Sequence, residues 1–259
     1  MHPILLSFGQ YQLNSAPVFA FLASLAAFLY LVREKNAGLD EERFWALILH
    51  LALGTVLGAA LYYGLLYGRG PEENLRRLVF QRRFPGGSFF GSFWGAVGLA
   101  AFYCRRQKIP FRPVADLLGT AAPLALAVMR IGCLLNGCCY GRATDMPWAV
   151  VFRDPHCAIP RALLGLSLHP QQLYDGAGAA AVFLFLHGKI LPRVRRGELP
   201  PGSAFIGSIA LYSALRFLLD FTRGSDGGLL AQFGLSTPQW TSLAGLAAAF
   251  ALHRRWRKG

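Results

Sequence analysis

Charge is what this chain lacks most. Only 15% of its 259 residues are Asp, Glu, Lys or Arg, against about a quarter in an ordinary soluble domain. Acidic residues are the scarcer half, 13 against 26 Lys and Arg. Hydrophobic residues make up 54%, and apolar runs of about 20 residues, each enough to cross ~30 Å of hydrocarbon, recur along the whole length. No stretch remains for a sizeable soluble domain, so the composition points to a membrane protein. Cysteine is sparse as well. Cys104, Cys133, Cys138, Cys139 and Cys157 have no regular spacing, and their odd number excludes a framework in which every cysteine is paired within the chain. The start, MHPILLSFGQYQL, lacks the basic region, apolar core and small-residue cleavage site of a signal peptide. The first helix is therefore expected to be retained. No internal repeat is visible, which weakens a reading as an inverted-repeat transporter.

What is present is helical. Seven apolar segments, roughly 16–32, 44–65, 88–104, 114–136, 172–188, 202–221 and 238–253, predict an all-α polytopic membrane protein. It would have about seven transmembrane helices, short irregular segments on its outer face, and a single domain over residues 1–259. Seven crossings put the termini on opposite sides. The linkers 33–43, 105–113 and 189–199 and the C-terminal tail are all basic, so the positive-inside rule places them in the cytoplasm and the N-terminus outside. The net charge of +13 is then explained by membrane lipids and topology. Nucleic acid is not expected, because no aromatic-studded soluble domain accompanies the charge. The stretch 68–87 is basic yet falls on the outer side; its EENLRRLVFQRRF portion has an amphipathic character suited to the membrane interface. In the third segment, Gly91, Gly95 and Gly98 of GSFWGAVG have the spacing that lets membrane helices approach closely. The segment 137–171, with its short extended WAVVF, is the longest irregular piece and the place where a substrate would be met.

Two arginines stand out. Arg130 follows GTAAPLALAVM and ends a membrane helix, while Arg216 lies inside SAFIGSIALYSALRFLLDF, one turn after Tyr212 and one turn before Asp220. Burying a guanidinium there costs about 2.5–3.5 kcal/mol on insertion scales, so an intramembrane arginine is a functional candidate. For Arg216 alone, an ion pair with Asp220 or snorkelling to the interface is the alternative. Two such arginines in the same half of the membrane fit a lipid phosphate, whose oxygens match the planar fork of guanidinium donors. In SLHPQQLYD, residues 167–175, Pro170 suits the first turn of a helix, and His169, Gln172 and Tyr174 bring polar groups to the boundary. His169 is either a general base or only a hydrogen-bonding group. In RIGCLLNGCCYGR, residues 130–142, three cysteines surround an Asn-Gly pair. A thiolate metal site of Cys133, Cys138 and Cys139 with Cys157 or a histidine is one reading, but CxxxxCC lacks the paired CxxC spacing of metal sites, and no metal is expected. Packing by small, soft side chains is the simplest account of the thiols, with disulfide exchange by Cys138 and Cys139 as an alternative.

Together these stretches resemble the prolipoprotein diacylglyceryl transferase family, over the whole chain. The family signature G-R-x-G-N-x-x-N-G-E-x-x-G-R is similar to the stretch from Met129 to Arg142, which keeps Arg130, Asn136, Gly141 and Arg142. The family's HPxQLYE resembles His169 to Asp175, its YxxxR-xxxE-xxR pattern resembles Tyr212, Arg216, Asp220 and Arg223 followed by Asp226, and a glutamine opening the last helix is matched by Gln239. The departures are specific. Phe90 stands at a histidine, Cys133 at an asparagine, Cys138 at a glutamate, Ala60 at an arginine and Ala16 at a tyrosine of the family pattern. The resemblance implies a bacterial inner-membrane enzyme without cofactor. It would transfer the diacylglyceryl group of phosphatidylglycerol to the thiol of a prolipoprotein lipobox peptide and release glycerol phosphate. Arg130 and Arg216 would stabilise the leaving phosphate, with His169 or water taking the thiol proton. Asn136, Gly141, Arg142, Gln172, Tyr174, Tyr212 and Arg223 would bind substrate. A paralogue with another acceptor, a membrane thiol oxidoreductase and a non-catalytic lipid-binding protein remain the alternatives.

Overall fold

The structure is a computed structural model that describes residues 2–8, 11–34, 39–66, 89–223 and 234–257. The basic stretch 68–87, the Pro85–Ser88 segment and Asp226 lie outside the described residues, as does the side chain of Phe90. Among the described residues four helices come first: α1 (Ser15–Arg33), α2 (Glu41–Leu66), α3 (Phe89–Arg106) and α4 (Phe111–Asn136). Beyond the irregular segment, α5 (Gln171–Phe185) passes through a π-turn at Leu186–Ile190 into α6 (Leu191–Arg195). Helix α7 (Ser203–Leu219) ends in a 3-10 turn at Asp220–Thr222, and α8 (Thr237–Arg257) follows. Strands are few. β1 (Ile4–Phe8) and β2 (Tyr11–Asn14) form an antiparallel hairpin ahead of α1, and β3 (Val150–Val151) pairs with β4 (Ser167–Leu168).

Each apolar segment of the sequence is helical, with ends shifted by a few residues. Five rods are long and apolar enough to cross a membrane: Ser15–Arg33, Glu41–Tyr62, Phe111–Asn136, Gln171–Arg195 and Ser203–Thr222. Among the described residues α3 and α8 do not join them, because arginines and polar residues at their ends shorten the apolar stretch. The surface is inverted relative to a soluble protein. Phe21, Leu184 and Leu218 are about two-thirds exposed, while Asp116, Gln172, Asp175 and Arg216 are buried. Apolar side chains are at home against lipid, whereas polar groups in hydrocarbon must find partners inside the protein.

Helix α4 is the central element, packed against α1, α3, α5 and α7. Its end is set by Asn136-Gly137. Gly137 adopts φ +76°, its N–H donates to the Leu134 carbonyl at 3.3 Å, and the Cys138 N–H donates to the Cys133 carbonyl at 3.1 Å. These two bonds make a Schellman motif, which needs a residue with little penalty for a left-handed conformation. Arg130 therefore sits roughly 28 Å along the axis from Phe111, at ~1.5 Å per residue.

Glycines govern the α2–α3 contact. A Cβ at Gly54, Gly58, Gly91 or Gly95 would overlap the opposing helix, so the two backbones lie in direct contact. Gly98 takes no part, because a Cβ there would meet nothing within 4 Å among the described residues. The basic linkers gather at one end of the bundle. Tyr103 donates to the Arg43 carbonyl at 3.3 Å, Arg195 pairs with Glu34, and the Arg112 guanidinium lies 5.5 Å from the Trp256 ring centroid. At that end the buried Asp116 carboxylate of α4 accepts the N–H groups of Gly202 at 2.6 Å and Phe205 at 3.0 Å. It caps α7 from a neighbouring helix, satisfying donors that a helix start leaves open.

Candidate active site

At the opposite end of α4, polar side chains from α4, α5 and α7 converge. Arg130 Nη2 lies 2.6 Å from Asp175 Oδ2, and the Tyr212 hydroxyl donates to Asp175 Oδ1 at 3.3 Å. Gly176 makes this approach possible, since a Cβ there would stand 3.1 Å from the Cβ of Arg130. One turn beyond Tyr212, Arg216 is buried and its Nη2 lies 3.1 Å from Asp220 Oδ1. Both arginines lie within electrostatic reach of the Tyr212 hydroxyl. The ion pair with Asp220 is thus real, and it does not exhaust Arg216. Among the described residues, Arg216 Nη1 and Arg130 Nε are buried nitrogens without a hydrogen-bond partner. Orphaned donors of this kind are rare in folded interiors.

The start of α5 ties the site to the irregular segment. Gln172 Nε2 donates to the Cys138 carbonyl at 2.6 Å, and its Oε1 is buried without a hydrogen-bond partner among the described residues. Gln171 donates to the Leu219 carbonyl at 2.9 Å and accepts from the Thr222 hydroxyl at 2.6 Å, joining α5 to the end of α7. Pro170 stands just before the first helical residue instead of inside the first turn. Gly141 is wedged between these elements. Its N–H donates to the His169 carbonyl at 3.1 Å, and an added Cβ would lie 2.7 Å from the Thr222 oxygen and 2.5 Å from the Cβ of His169. Arg142 is exposed and contributes backbone here, donating to the Thr222 carbonyl and accepting from His169. Arg223 forms a backbone bridge with Gly141.

His169 is buried. Its Nδ1 lies 3.3 Å from the Tyr174 hydroxyl, which accepts from Trp148 Nε1 at 2.6 Å. Among the described residues it makes no hydrogen bond or ion pair with Arg130 or Arg216. Asn136 closes α4, and its carbonyl accepts the Ala158 N–H at 2.8 Å.

Sequence reasoning missed Asp175 as the partner of Arg130, and also Thr222 and Ser236. Ser236 and Gln239 form a capping box at α8, with N–H bonds of 3.2 and 3.0 Å in the two directions. The pattern Ser-x-x-Gln is its signal. The Ser236 hydroxyl also donates to Asp220, so the start of α8 supports the counter-ion of Arg216. A narrow apolar cleft reaches Tyr212 between α3, α4, α7 and α8, bounded by Phe93, Trp94, Pro123, Leu126 and Ile209.

The cysteines are close together. The sulfurs of Cys133, Cys138 and Cys139 lie within 4.8 Å of one another, and Arg130 Nη1 points to Cys133 Sγ at 3.9 Å. Hydrogen bonds from the Cys133 and Cys138 thiols, reinforced by the charges of Arg130 and Arg223, hold the Cys139 thiol well below its ordinary range.

The profile of the prolipoprotein diacylglyceryl transferase family matches residues 3–254. This chain belongs to that family. A phosphatidylglycerol–prolipoprotein diacylglyceryl transferase of Geobacter sulfurreducens is 33% identical over 263 residues, covering 98% of this chain and 96% of the relative. Proteins of the same name from Bordetella avium, 33% identical over 84% of this chain and 81% of the relative, and Methylobacillus flagellatus, 32% identical over 86% and 84%, are similar. The fold gathers Arg130 and Tyr212 around Asp175, and Arg216 follows one turn beyond Tyr212 with Asp220 as its own counter-ion.

Proposed function

We propose that this chain, as one domain over residues 1–259, transfers the diacylglyceryl group of phosphatidylglycerol to the lipobox cysteine of a prolipoprotein. It is an enzyme of the bacterial inner membrane, with phosphatidylglycerol and the prolipoprotein as substrates. The observation that carries the reading is the buried Arg216 and the part-buried Arg130 on either side of Tyr212, each with a buried nitrogen that has no hydrogen-bond partner among the described residues. Their pairing with Asp175 and Asp220 leaves donors over for a third anion.

The chemistry follows from that arrangement. A thiolate attacks the glyceryl carbon, a sulfur–carbon bond forms, and the carbon–oxygen bond to phosphate breaks, so that glycerol phosphate departs with the electron pair. Charge develops on the phosphate, and positioned guanidinium donors stabilise it; one such donor contributes about 2.7–4 kcal/mol. Arg130 and Arg216 are the catalytic pair in this reading, and Tyr212 orients the headgroup. The cleft below Tyr212 suits an acyl chain and supports entry from the side of the bundle. Asn136, Gly141, Arg142, Gln172, Tyr174 and Arg223 form the substrate-binding rim, and His169 or water takes the thiol proton. The gathering of the basic linkers at one end supports seven crossings with the N-terminus outside and the C-terminus cytoplasmic.

The test is transfer itself. Purified protein given labelled phosphatidylglycerol and a lipobox peptide should form the thioether, and Arg130→Ala and Arg216→Ala should each lose at least 100-fold in rate. Disulfide exchange by the cysteines without lipid transfer would overturn the reading. Unchanged turnover and pH dependence in His169→Ala would remove His169 from it.

A further inference from the structure

The three sulfurs have no role in the clamp on phosphate, yet the fold holds them together. Cys133 and Cys138 carry the first and last positions of the Schellman motif, where the side chains of residues i and i+5 meet. The Cys138 N–H bond to the Cys133 carbonyl fixes that closeness in the backbone. Cys139 turns its thiol back to the pair through a left-handed backbone, at φ +58°. A non-glycine residue is uncommon there, and the local structure must hold it in place.

We propose that Cys133, Cys138 and Cys139 bind one zinc-like, thiophilic divalent cation. Thiolates select such ions. With a metal–sulfur distance of about 2.3 Å, three sulfurs around one ion are roughly 3.8–4.0 Å apart. The sulfurs here are within 4.8 Å, so each pair needs to close by less than about 1 Å. Three thiolates and a divalent ion leave one negative charge, which falls beside two cations: Arg130, whose Nη1 is 3.9 Å from Cys133 Sγ and which Asp175 shares, and Arg223, within electrostatic reach of Cys139.

Three protein ligands leave a tetrahedral ion one position short, the pattern of zinc sites that take a substrate. Cys133 is buried, but Cys138 and Cys139 are only half-buried, which leaves that position reachable. Resting on the transferase reading, the open position takes the acceptor thiol. Coordination deprotonates a thiol outright, so the sulfur arrives as a thiolate beside Arg130 and its proton passes to water or His169. Sulfur–carbon bond formation and departure of glycerol phosphate then proceed as above.

The test uses the reduced full-length protein in detergent, with Co(II) and Zn(II) as probes. One Co(II) per chain should bind, with sulfur-to-metal charge-transfer absorption. Cys133→Ser, Cys138→Ser and Cys139→Ser should each weaken binding at least 10-fold, while Cys104→Ala leaves it unchanged; equal thermal unfolding of the Ser variants shows that they are folded. Absence of thiolate charge transfer, or binding indifferent to all three substitutions, overturns the site. A lipobox peptide should shift the Co(II) spectrum, and its Cys→Ser counterpart should not. Transfer at full rate by metal-free protein overturns the fourth-position assignment and leaves the transferase reading standing. A cysteine-dependent Co(II) spectrum in a protein without any transfer separates the site from that reading.

Discussion

Asp175→Asn isolates the competition on which the phosphate site depends. Asp175 is 2% exposed at its side chain and holds Arg130 at 2.6 Å and Tyr212 at 3.3 Å. Asparagine keeps the volume and one acceptor oxygen but removes the negative charge, leaving the Arg130 guanidinium, 12% exposed, without its counter-ion. Breaking a buried pair in this way costs about 3–5 kcal/mol. The retained acceptor argues for the lower end, and ~3 kcal/mol corresponds to a fall of roughly 6–12 °C in Tm for a chain of this size. A lipid phosphate can supply the lost charge. Phosphatidylglycerol should therefore raise the Tm of Asp175→Asn more than that of the unsubstituted protein, where the carboxylate competes for the same guanidinium. Phosphatidylcholine, with no net charge, should not reproduce the difference. The assay is thermal unfolding in a neutral detergent with each lipid at matched concentration. Equal phosphatidylglycerol shifts in both proteins, or a destabilisation below about 1 kcal/mol, far under the buried-pair cost, would refute the idea that phosphate and Asp175 share Arg130.

Asp116→Ala removes the acceptor for the Gly202 and Phe205 N–H groups, so unfolding should become about 2 kcal/mol easier. The KM for phosphatidylglycerol should hold, since this cap lies at the other end of the bundle. In Gly141→Ala the new methyl meets the Thr222 and His169 carbonyls at 2.7 and 2.8 Å. Transfer should fall at least 10-fold while far-ultraviolet circular dichroism keeps its helical amplitude. Arg216→Lys keeps a charge for Asp220 but loses the second donor direction. Its kcat should fall roughly 100-fold, in the range of one lost transition-state donor, and a single-turnover assay separates this from weaker lipid binding.

The helices were legible because an apolar run long enough to cross a bilayer has few other structures open to it. What the apolar pattern hides is everything that depends on a partner. The β1–β2 hairpin consists of two short strands, ILLSF and YQLN, whose mixed composition marks neither a membrane helix nor a sheet. Gly91 and Gly95 pack because Gly58 and Gly54 face them, while Gly98, identical in sequence terms, faces nothing within 4 Å among the described residues. Arg216–Asp220 is visible one turn apart on a single helix. Arg130–Asp175 crosses from α4 to α5 and required Gly176 to let the helices close.

The cysteines show the opposite case, a local signal that spacing rules pass over. CxxxxCC does not match a paired-cysteine motif, and that is sound for a flexible loop. It fails here because Asn136-Gly137 is a helix stop, and a Schellman turn brings positions i and i+5 together whatever side chains they carry. Positions 133 and 138 are thus neighbours by backbone geometry. The family signature carries asparagine and glutamate at these positions, and this chain carries two thiols with a third beside them. Geometry therefore joins the two departures: where the family pattern that this stretch resembles has asparagine and glutamate, this chain sets two thiols side by side near Arg130. A neighbouring arginine tolerates either arrangement, because a carboxylate and a thiolate both offer it a negative charge. The exchange can leave the phosphate clamp intact while changing what else this corner of the site binds.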